Sequence, residues 1–268
     1  ILPFMEMNGE ELPPWDYRVP GVTSISADIH KYGYAAKGAS TITYRDLDYL
    51  RYQMFVYEDW PGGVFASSAL LGTRPGGGYA SAWAVLQYFG KAGYRRLASD
   101  TIDAVNRLKD GIGAIPGLEI MGDPKGPLFS YRSTDPELNI YAVGDQMDAR
   151  GWQVNRNQSP PGLHAMVTAQ HLAVVDDYLA DLRDAVDKVK ANPELAQQGG
   201  AATYGMMAHV PLRGMVKKKI LEMYSEQYRA GGAELDIAGA SEEGVTGGKP
   251  GLLDRVVQWY VQRQARKG

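Results

Sequence analysis

The residues best suited to chemistry lie in one short stretch near the start of the chain. Lys31 directly follows His30, at the end of an apolar run and the start of a glycine-bearing turn, and a second lysine, Lys37, follows six positions later. A lysine forms a covalent imine, or Schiff base, only when its amine is neutral, which requires desolvation or neighbouring cations. His30 and Lys37 can provide that positive surrounding. The pattern favours a Schiff-base lysine, although a lysine after a strand is more commonly a solvated surface residue.

The composition limits the class of protein. A net charge of −3 argues against a nucleic-acid partner, which would need a basic face. Because the chain has no cysteine, disulfides, thiolate metal sites and cysteine nucleophiles are excluded. No metal site is predicted either, since His164 and His171 have no acidic residue between them. No apolar run reaches about 18 residues, so no membrane-spanning helix is predicted and the expected location is cytoplasmic.

The elements that must position Lys31 are predicted to be short strands and turns. Stretches rich in β-branched residues or alternating in polarity predict strands, and the Gly/Pro-rich stretch predicts a break. The strands are expected within 21–27, 39–44 and 52–57, a helical turn within 46–51, and the break at 72–78. The first residues, Ile1 to Phe4, are expected to form a strand or the exit from one. Residues 1–78 are therefore interpreted as the last part of a large α/β domain.

A long helical region is predicted over residues 79–112, where one helix face is apolar. That face carries Leu97, Thr101, Ala104, Val105, Leu108 and Ile112. Gly90 and Gly93 are expected to bend or interrupt the helix.

Residues 113–268 are predicted to form a small α+β domain with terminal helices. Its strands are expected at 118–121, 128–132, 152–157 and 163–168. One helix is expected to carry Ile140, Val143 and Met147, and the next to carry Leu172, Val175, Leu179, Leu182, Val186 and Val189. A polar linker at 197–200, a helix at 210–229, a loop at 231–251 and a terminal helix at 252–267 are predicted to follow.

Several motifs, occurring in order along the chain, carry a resemblance to a known family. The lysine segment reads Val22-Thr-Ser-Ile-Ser-Ala-Asp-Ile-His-Lys-Tyr-Gly-Tyr-Ala-Ala-Lys-Gly-Ala-Ser40. The other segments are Asp59-Trp60-Pro-Gly-Gly63, Gly72-Thr-Arg-Pro-Gly76, Gly151-Trp152, Pro160-Pro161-Gly162-Leu163-His164 and Thr203-Tyr204-Gly205-Met206. Together they resemble the sphingosine-1-phosphate lyases, a branch of the group II decarboxylases that depend on pyridoxal 5'-phosphate (PLP). Plain group II decarboxylases share the His-Lys pair and the Arg-Pro turn, but they usually lack the extended form of the lysine segment.

The resemblance implies a fold and a cofactor. The fold is the α/β fold of fold-type I PLP-dependent transferases, with part of the large domain at 1–78, a connecting helical region at 79–112 and the small C-terminal domain at 113–268. The cofactor is PLP, bound through a Schiff base to Lys31. His30 could face the cofactor phosphate or the substrate, or it could only hydrogen-bond backbone in the turn.

Five further residues receive roles from the resemblance. Lys37 either binds the substrate phosphate or raises the positive potential around Lys31. Thr73, Arg74 and Gly76 lie on a turn before a helix, where backbone N–H groups bind anions. The resemblance implies that this turn reaches a PLP phosphate held mainly by the other subunit, and the alternative is an ordinary helix entry. Tyr204 is expected to line the substrate site. Asp28, outside this set, could orient a cation or cap a turn.

The resemblance also implies an activity and partners. The expected reaction is retro-aldol cleavage of phosphorylated sphingoid bases to a fatty aldehyde and phosphoethanolamine. A PLP-dependent amino-acid decarboxylase and a non-catalytic PLP-fold subunit are the alternatives. In the resembling family, an aspartate for the pyridinium nitrogen precedes the point where this chain begins. The chain is therefore expected to be the C-terminal half of an enzyme, with the N-terminal half as a separate chain or fragment and a dimer as the complete form.

Overall fold

The computed structural model describes residues 1–202 and 204, together with 217–218, 221–222, 224–225 and 228. The chain divides into two compact units. The first unit comprises 1–106, 125–127 and 167–173, and the second comprises 107–124, 128–166 and 174–268. The predicted loop 231–251 and terminal helix 252–267 lie outside the described residues, as does most of the predicted helix 210–229. The domain boundaries at 78 and 112 stay a prediction.

The first unit contains short antiparallel strand pairs and helices. Its elements are α1 (Leu2–Met7), β1 (Ser24–Ala27), β2 (Thr41–Tyr44), α2 (Leu47–Leu50), a 3-10 turn (Arg51–Gln53), β3 (Phe55–Trp60), β4 (Gly63–Ser67) and most of α3 (Gly77–Gly113). Strand β1 pairs with β2, and β3 pairs with β4. The strands predicted around Lys31 and the helical turn after them are confirmed, with boundaries shifted by a few residues. Strand β4 was not predicted. The Trp60–Gly63 motif forms the turn of the hairpin that joins β3 to β4.

The prediction of a strand at Ile1–Phe4 is wrong, because the segment starts a helix. Pro3 lies in the first turn of α1, where its missing N–H costs no helix hydrogen bond. The helix places Met5, only 1% exposed, against Ala98 and Ile102. Tertiary burial of Met5 therefore accounts for an element that the local sequence did not indicate.

Helix α3 confirms the long helical region. Its backbone leaves the helical conformation at one of the two glycines that were expected to bend or interrupt it. Gly90 has φ 54° and ψ −173°, a left-handed φ that glycine tolerates. Gly93 stays helical, contrary to the expectation, and lets the Phe89 side chain pack closely, since a Cβ at Gly93 would lie 2.9 Å from that of Phe89. Five of the six residues assigned to the apolar face are at most 5% exposed: Thr101, Ala104, Val105, Leu108 and Ile112.

The second unit is built on a four-stranded antiparallel sheet in the order β5-β6-β8-β7. Its elements are β5 (Leu118–Ile120), β6 (Leu128–Ser133), α4 (Ile140–Asp148), β7 (Asn155–Gln158), β8 (Pro161–Met166), α5 (Val175–Ala191) and a 3-10 helix (Pro193–Gln197). A further 3-10 helix, Ala169–Val174, belongs to the first unit except for its last residue. The four predicted strands and both helices are confirmed. Leu172 precedes α5, however, and belongs to the 3-10 helix.

The ends of α4 and α5 follow from local sequence. The Asn139 side chain accepts hydrogen bonds from the backbone N–H groups of Tyr141 (2.9 Å) and Ala142 (3.1 Å), which caps α4. Helix α5 carries aspartates in its first turn and lysines in its last, an arrangement that complements the helix dipole. Across the described residues, no helix has the length and apolar character needed to cross a membrane.

Candidate active site

Lys31 lies in the loop that joins β1 to β2, and hydrogen bonds fold this loop back on itself. The Lys31 N–H donates to the Asp28 carbonyl (3.1 Å), and the Ala35 N–H donates to the Ile29 carbonyl (3.1 Å). Tyr34 has a left-handed φ of 61°, which is uncommon outside glycine, and its N–H donates to the Lys31 carbonyl (3.0 Å). The strand pair thus presents Lys31 on a tight, internally bonded turn.

Gly33 permits the closest approach within this turn. A Cβ at Gly33 would lie 2.5 Å from the Ile29 carbonyl oxygen and 2.9 Å from the Ile29 Cα. The Gly33 carbonyl also accepts a hydrogen bond from the Tyr94 hydroxyl of α3 (2.7 Å), which ties the turn to that helix. The backbone therefore has no room for a side chain at this position.

We expect Gly33→Ala to destabilise the protein by about 1–3 kcal/mol, because the added methyl overlaps backbone atoms that cannot rotate away. Thermal unfolding of the full-length protein measures this change. Gly113→Ala is the matched control, since a Cβ there meets nothing within 4 Å. Equal melting temperatures for the two variants would show that the turn can relax.

The Lys31 side chain is accessible and has a carboxylate partner. Its Nζ lies 2.8 Å from Asp28 Oδ2, and 63% of the side chain is exposed. The Ser40 hydroxyl donates to the other carboxylate oxygen of Asp28 (2.6 Å). The hydrogen bond from Lys31, followed by that from Ser40, lowers the pKa of Asp28 below its ordinary value. Of the two roles considered for Asp28, the structure shows the one in which it orients a cation.

His30 contacts backbone within the same loop. Its Nδ1 lies 2.8 Å from the Ala39 carbonyl oxygen, which also accepts the His30 backbone N–H (3.0 Å). Because a carbonyl only accepts hydrogen bonds, Nδ1 carries the proton in this contact. This is the backbone role considered from the sequence. A role of His30 toward the cofactor or substrate stays a prediction.

The structure brings the loop after Lys31 against the start of α3. The Ala36 N–H donates to the Ser81 hydroxyl (2.8 Å), and the position of a Gly78 Cβ lies 3.4 Å from the Gly38 backbone. The lysine segment and the start of α3 therefore lie in direct contact. Ser81 was not recognised from the sequence, because nothing in its local pattern distinguishes it from an ordinary helix residue.

The remaining candidate residues of the first unit are exposed around this contact. Lys37 lies on the turn just before Gly38, whose φ is 104°. Thr73, Arg74 and Gly76 precede α3, and Arg74 donates to the Leu71 carbonyl (2.7 Å). Their assignment to phosphate binding stays a prediction.

Tyr204 belongs to the second unit, where it contacts an arginine and another tyrosine. Its ring centre lies 5.4 Å from that of Tyr141, and the Arg156 guanidinium lies 5.7 Å from it. Arg156 was not recognised from the sequence, since an arginine on a polar strand is ordinarily solvated. No local signal marked its contacts, which join segments distant in sequence.

Solved structures with this fold are PLP-dependent enzymes of fold type I. Glutamate decarboxylase from Lactobacillus brevis superposes with a TM-score of 0.57, 25% identity, and coverage of 73% of this chain and 45% of that one. Sphingosine-1-phosphate lyase from Burkholderia pseudomallei superposes with a TM-score of 0.68, 34% identity, and coverage of 84% of this chain and 47% of that one. These likenesses place the chain in the fold-type I class.

Curated relatives narrow the class to one family, although no family model matches the chain. Sphingosine-1-phosphate lyase from Arabidopsis thaliana is 40% identical over 228 residues, or 85% of this chain and 42% of the relative. Sphingosine-1-phosphate lyase 1 from Rattus norvegicus is 40% identical over 219 residues, or 81% of this chain and 38% of the relative. The chain belongs to the sphingosine-1-phosphate lyase family, and it spans about two fifths of the length of these relatives.

The described residues fit the cofactor that this family requires. PLP is held by its enzymes through a lysine amine. The Lys31 side chain is 63% exposed, and its amine is paired with the Asp28 carboxylate instead of the neighbouring cations expected from the sequence. Attachment of the cofactor therefore requires this ion pair to be exchanged for the new bond. The loop therefore offers a reachable primary amine for covalent attachment.

Proposed function

We propose that the enzyme containing this chain is a PLP-dependent carbon–carbon lyase, which cleaves phosphorylated sphingoid bases to a fatty aldehyde and phosphoethanolamine. The observation that carries the proposal is the 40% identity to a sphingosine-1-phosphate lyase over 85% of the chain. The structure supports it by presenting the Lys31 amine on a rigid turn. The decarboxylase alternative has weaker support, since the glutamate decarboxylase shares 25% identity.

Each candidate residue has a role in this proposal. When bound, PLP supplies an electron sink for cleavage beside the amine-bearing carbon. Lys31 holds the cofactor, and Asp28, whose carboxylate lies 2.8 Å from the Lys31 amine, orients that amine before attachment. Lys31 or Tyr204 returns a proton to the carbon after cleavage. Lys37 binds the substrate phosphate.

The cofactor phosphate is assigned to a second group of residues. His30 and the turn with Thr73, Arg74 and Gly76 contact this phosphate, and the turn does so across a subunit boundary. The proposal therefore includes a dimer of the complete enzyme, in which the N-terminal part provides the partner of the pyridinium nitrogen.

The reaction is tested on the intact assembly. Absorbance spectra with and without dihydrosphingosine 1-phosphate, followed by assay of the aldehyde, are expected to show a spectral change and aldehyde release. Release of carbon dioxide from an amino acid without aldehyde formation would favour the decarboxylase. Absence of both products would favour a non-catalytic subunit.

We expect Lys37→Gln to lower kcat/KM by roughly 10- to 100-fold, because a hydrogen bond to a charged group contributes about 1.5–3 kcal/mol. The cofactor band should persist, since Lys31 is unchanged. Lys91→Gln, which removes the charge of an exposed lysine on α3, is the matched control.

A series of rates against pH separates the two roles of Lys37. If Lys37 binds the substrate phosphate, the loss should be similar across the range in which that phosphate is dianionic. If Lys37 instead favours the neutral amine of Lys31, the loss should shrink as the pH rises. Wild-type kinetics of Lys37→Gln at every pH would eliminate both roles.

A further inference from the structure

Asp145, near the middle of α4, joins that helix to the segment that leads to Tyr204. Its Oδ2 accepts the backbone N–H of Ala201 (2.8 Å), and its Oδ1 accepts an N–H of Arg156 (2.6 Å). Ala201 is fully buried. A carboxylate that binds a buried backbone N–H and a guanidinium at once connects three separate segments of the second unit.

Two glycines make this approach possible. Gly199 has a left-handed φ of 51°, and a Cβ there would lie 3.2 Å from Asp145 Oδ2. A Cβ at Gly200 would lie 2.6 Å from Asp145 Oδ1, closer than real Cβ contacts. The Gly-Gly pair that reads as a linker in the sequence therefore keeps the space beside the Asp145 carboxylate free of side chains.

Arg156 occupies the centre of the same cluster. One of its terminal nitrogens bonds Asp145 and Asp148, both at 2.6 Å, and the other donates to the Val154 carbonyl (3.1 Å). Only 10% of the Arg156 side chain is exposed. Burial acts to lower the pKa of Arg156, but its bonds and charge interactions with Asp148 and Asp145 outweigh burial and raise it.

The Tyr204 ring rests on this fixed guanidinium. The distance of 5.7 Å to the Arg156 carbon is within the range of a cation–π contact. Tyr141 supports the ring from a second direction and is itself held, since its hydroxyl donates to the Asn157 carbonyl (2.8 Å). Tyr204 is thus fixed through its backbone segment and through its ring by one connected set of residues.

We infer that Asp145 and Arg156 are positioning residues for Tyr204: they hold residues 199–202 on α4 and fix the orientation of the tyrosine ring. The inference rests on the proposed function, because it gives the fixed ring its role at the substrate. Neither residue is placed in contact with cofactor or substrate. Their effect on the reaction passes through Tyr204.

Hydrogen exchange tests the structural part of the inference without any assay of activity. In the full-length enzyme, Asp145→Asn is expected to accelerate exchange of the Ala201 amide by at least about tenfold, because its charged acceptor is lost. Asp148→Asn is the matched control, since it removes a carboxylate from the same arginine but leaves the acceptor of Ala201 in place. Unchanged exchange in Asp145→Asn would overturn the inference.

A double-mutant cycle tests the functional part. Asp145→Asn is expected to lower kcat roughly 10- to 100-fold, with a smaller change in KM, because misplacing a reacting group by a fraction of an ångström is costly. Tyr204→Phe should lower kcat on its own. Adding Asp145→Asn to Tyr204→Phe should then cost less than about twofold, since the residue it positions no longer acts.

Each outcome of the cycle decides between a positioning and a merely structural role. Losses that multiply in the double variant would overturn the inference, as would an undiminished kcat in Asp145→Asn. Arg156→Lys keeps the charge but loses the nitrogen that donates to the Val154 carbonyl and the planar group beside the Tyr204 ring, so it should follow Asp145→Asn. If the wild-type enzyme releases no aldehyde, the proposed function fails, and the exchange measurement still decides whether Asp145 holds the segment.

Discussion

Lys31→Ala is expected to abolish the visible absorption band of the lysine-bound cofactor and nearly all turnover of the full-length enzyme. Removal of the amine leaves PLP without its covalent attachment and the active site without one of its proton carriers. The structure supports this expectation, because Lys31 is reachable on its turn and its amine is oriented by Asp28 at 2.8 Å. Absorbance of the purified protein and an aldehyde assay measure the two losses.

Lys31→Arg separates the covalent role of this residue from its charge. An arginine keeps a cation beside Asp28, but a guanidinium does not lose its proton in proteins and cannot form the imine. We therefore expect Lys31→Arg to fail as completely as Lys31→Ala. Lys91→Ala, on an exposed face of α3, is the control for loss of a lysine. An undiminished rate in either Lys31 variant would refute the assignment.

The chain expressed by itself is expected to aggregate or to bind no PLP. The β3–β4 hairpin exposes large apolar side chains, including Phe55 (54% exposed), Trp60 (54%) and Val64 (71%), and Leu70 just beyond it is 99% exposed. In the described part of the chain these two strands pair only with each other, which leaves unpaired edges. Apolar surface of this kind is characteristic of contact with further polypeptide.

Light scattering on the size-fractionated chain, with absorbance read in the same run, measures both parts of this expectation. The double substitution Val64→Glu with Leu70→Glu tests whether the exposed apolar side chains cause the aggregation. It should reduce aggregation without restoring a cofactor band. Co-expression with the N-terminal part of a family member should restore that band. A soluble, monomeric and yellow product of the chain alone would contradict the prediction.

Local sequence patterns were sufficient to predict the elements whose structure depends on their own sequence. The amphipathic periodicity of α5 predicted its buried face, of which Val175, Leu182 and Val186 are at most 1% exposed. The sharp break at Gly90 followed from the freedom of its backbone. The sequence prediction was wrong where burial of a side chain favoured a structure other than the one the local pattern indicated, as for the helix α1 that buries Met5.

The sequence by itself determined the family of the chain and the elements on either side of Lys31, because these depend on residue type and on short-range order along the chain. Only the tertiary structure decided what the site residues touch. The approach of Gly78 to Gly38 and the attachment of residues 199–202 to Asp145 each join positions more than 35 residues apart. Such contacts arise from packing in three dimensions. Neither a glycine nor a single aspartate gives a local sequence pattern from which they could be predicted.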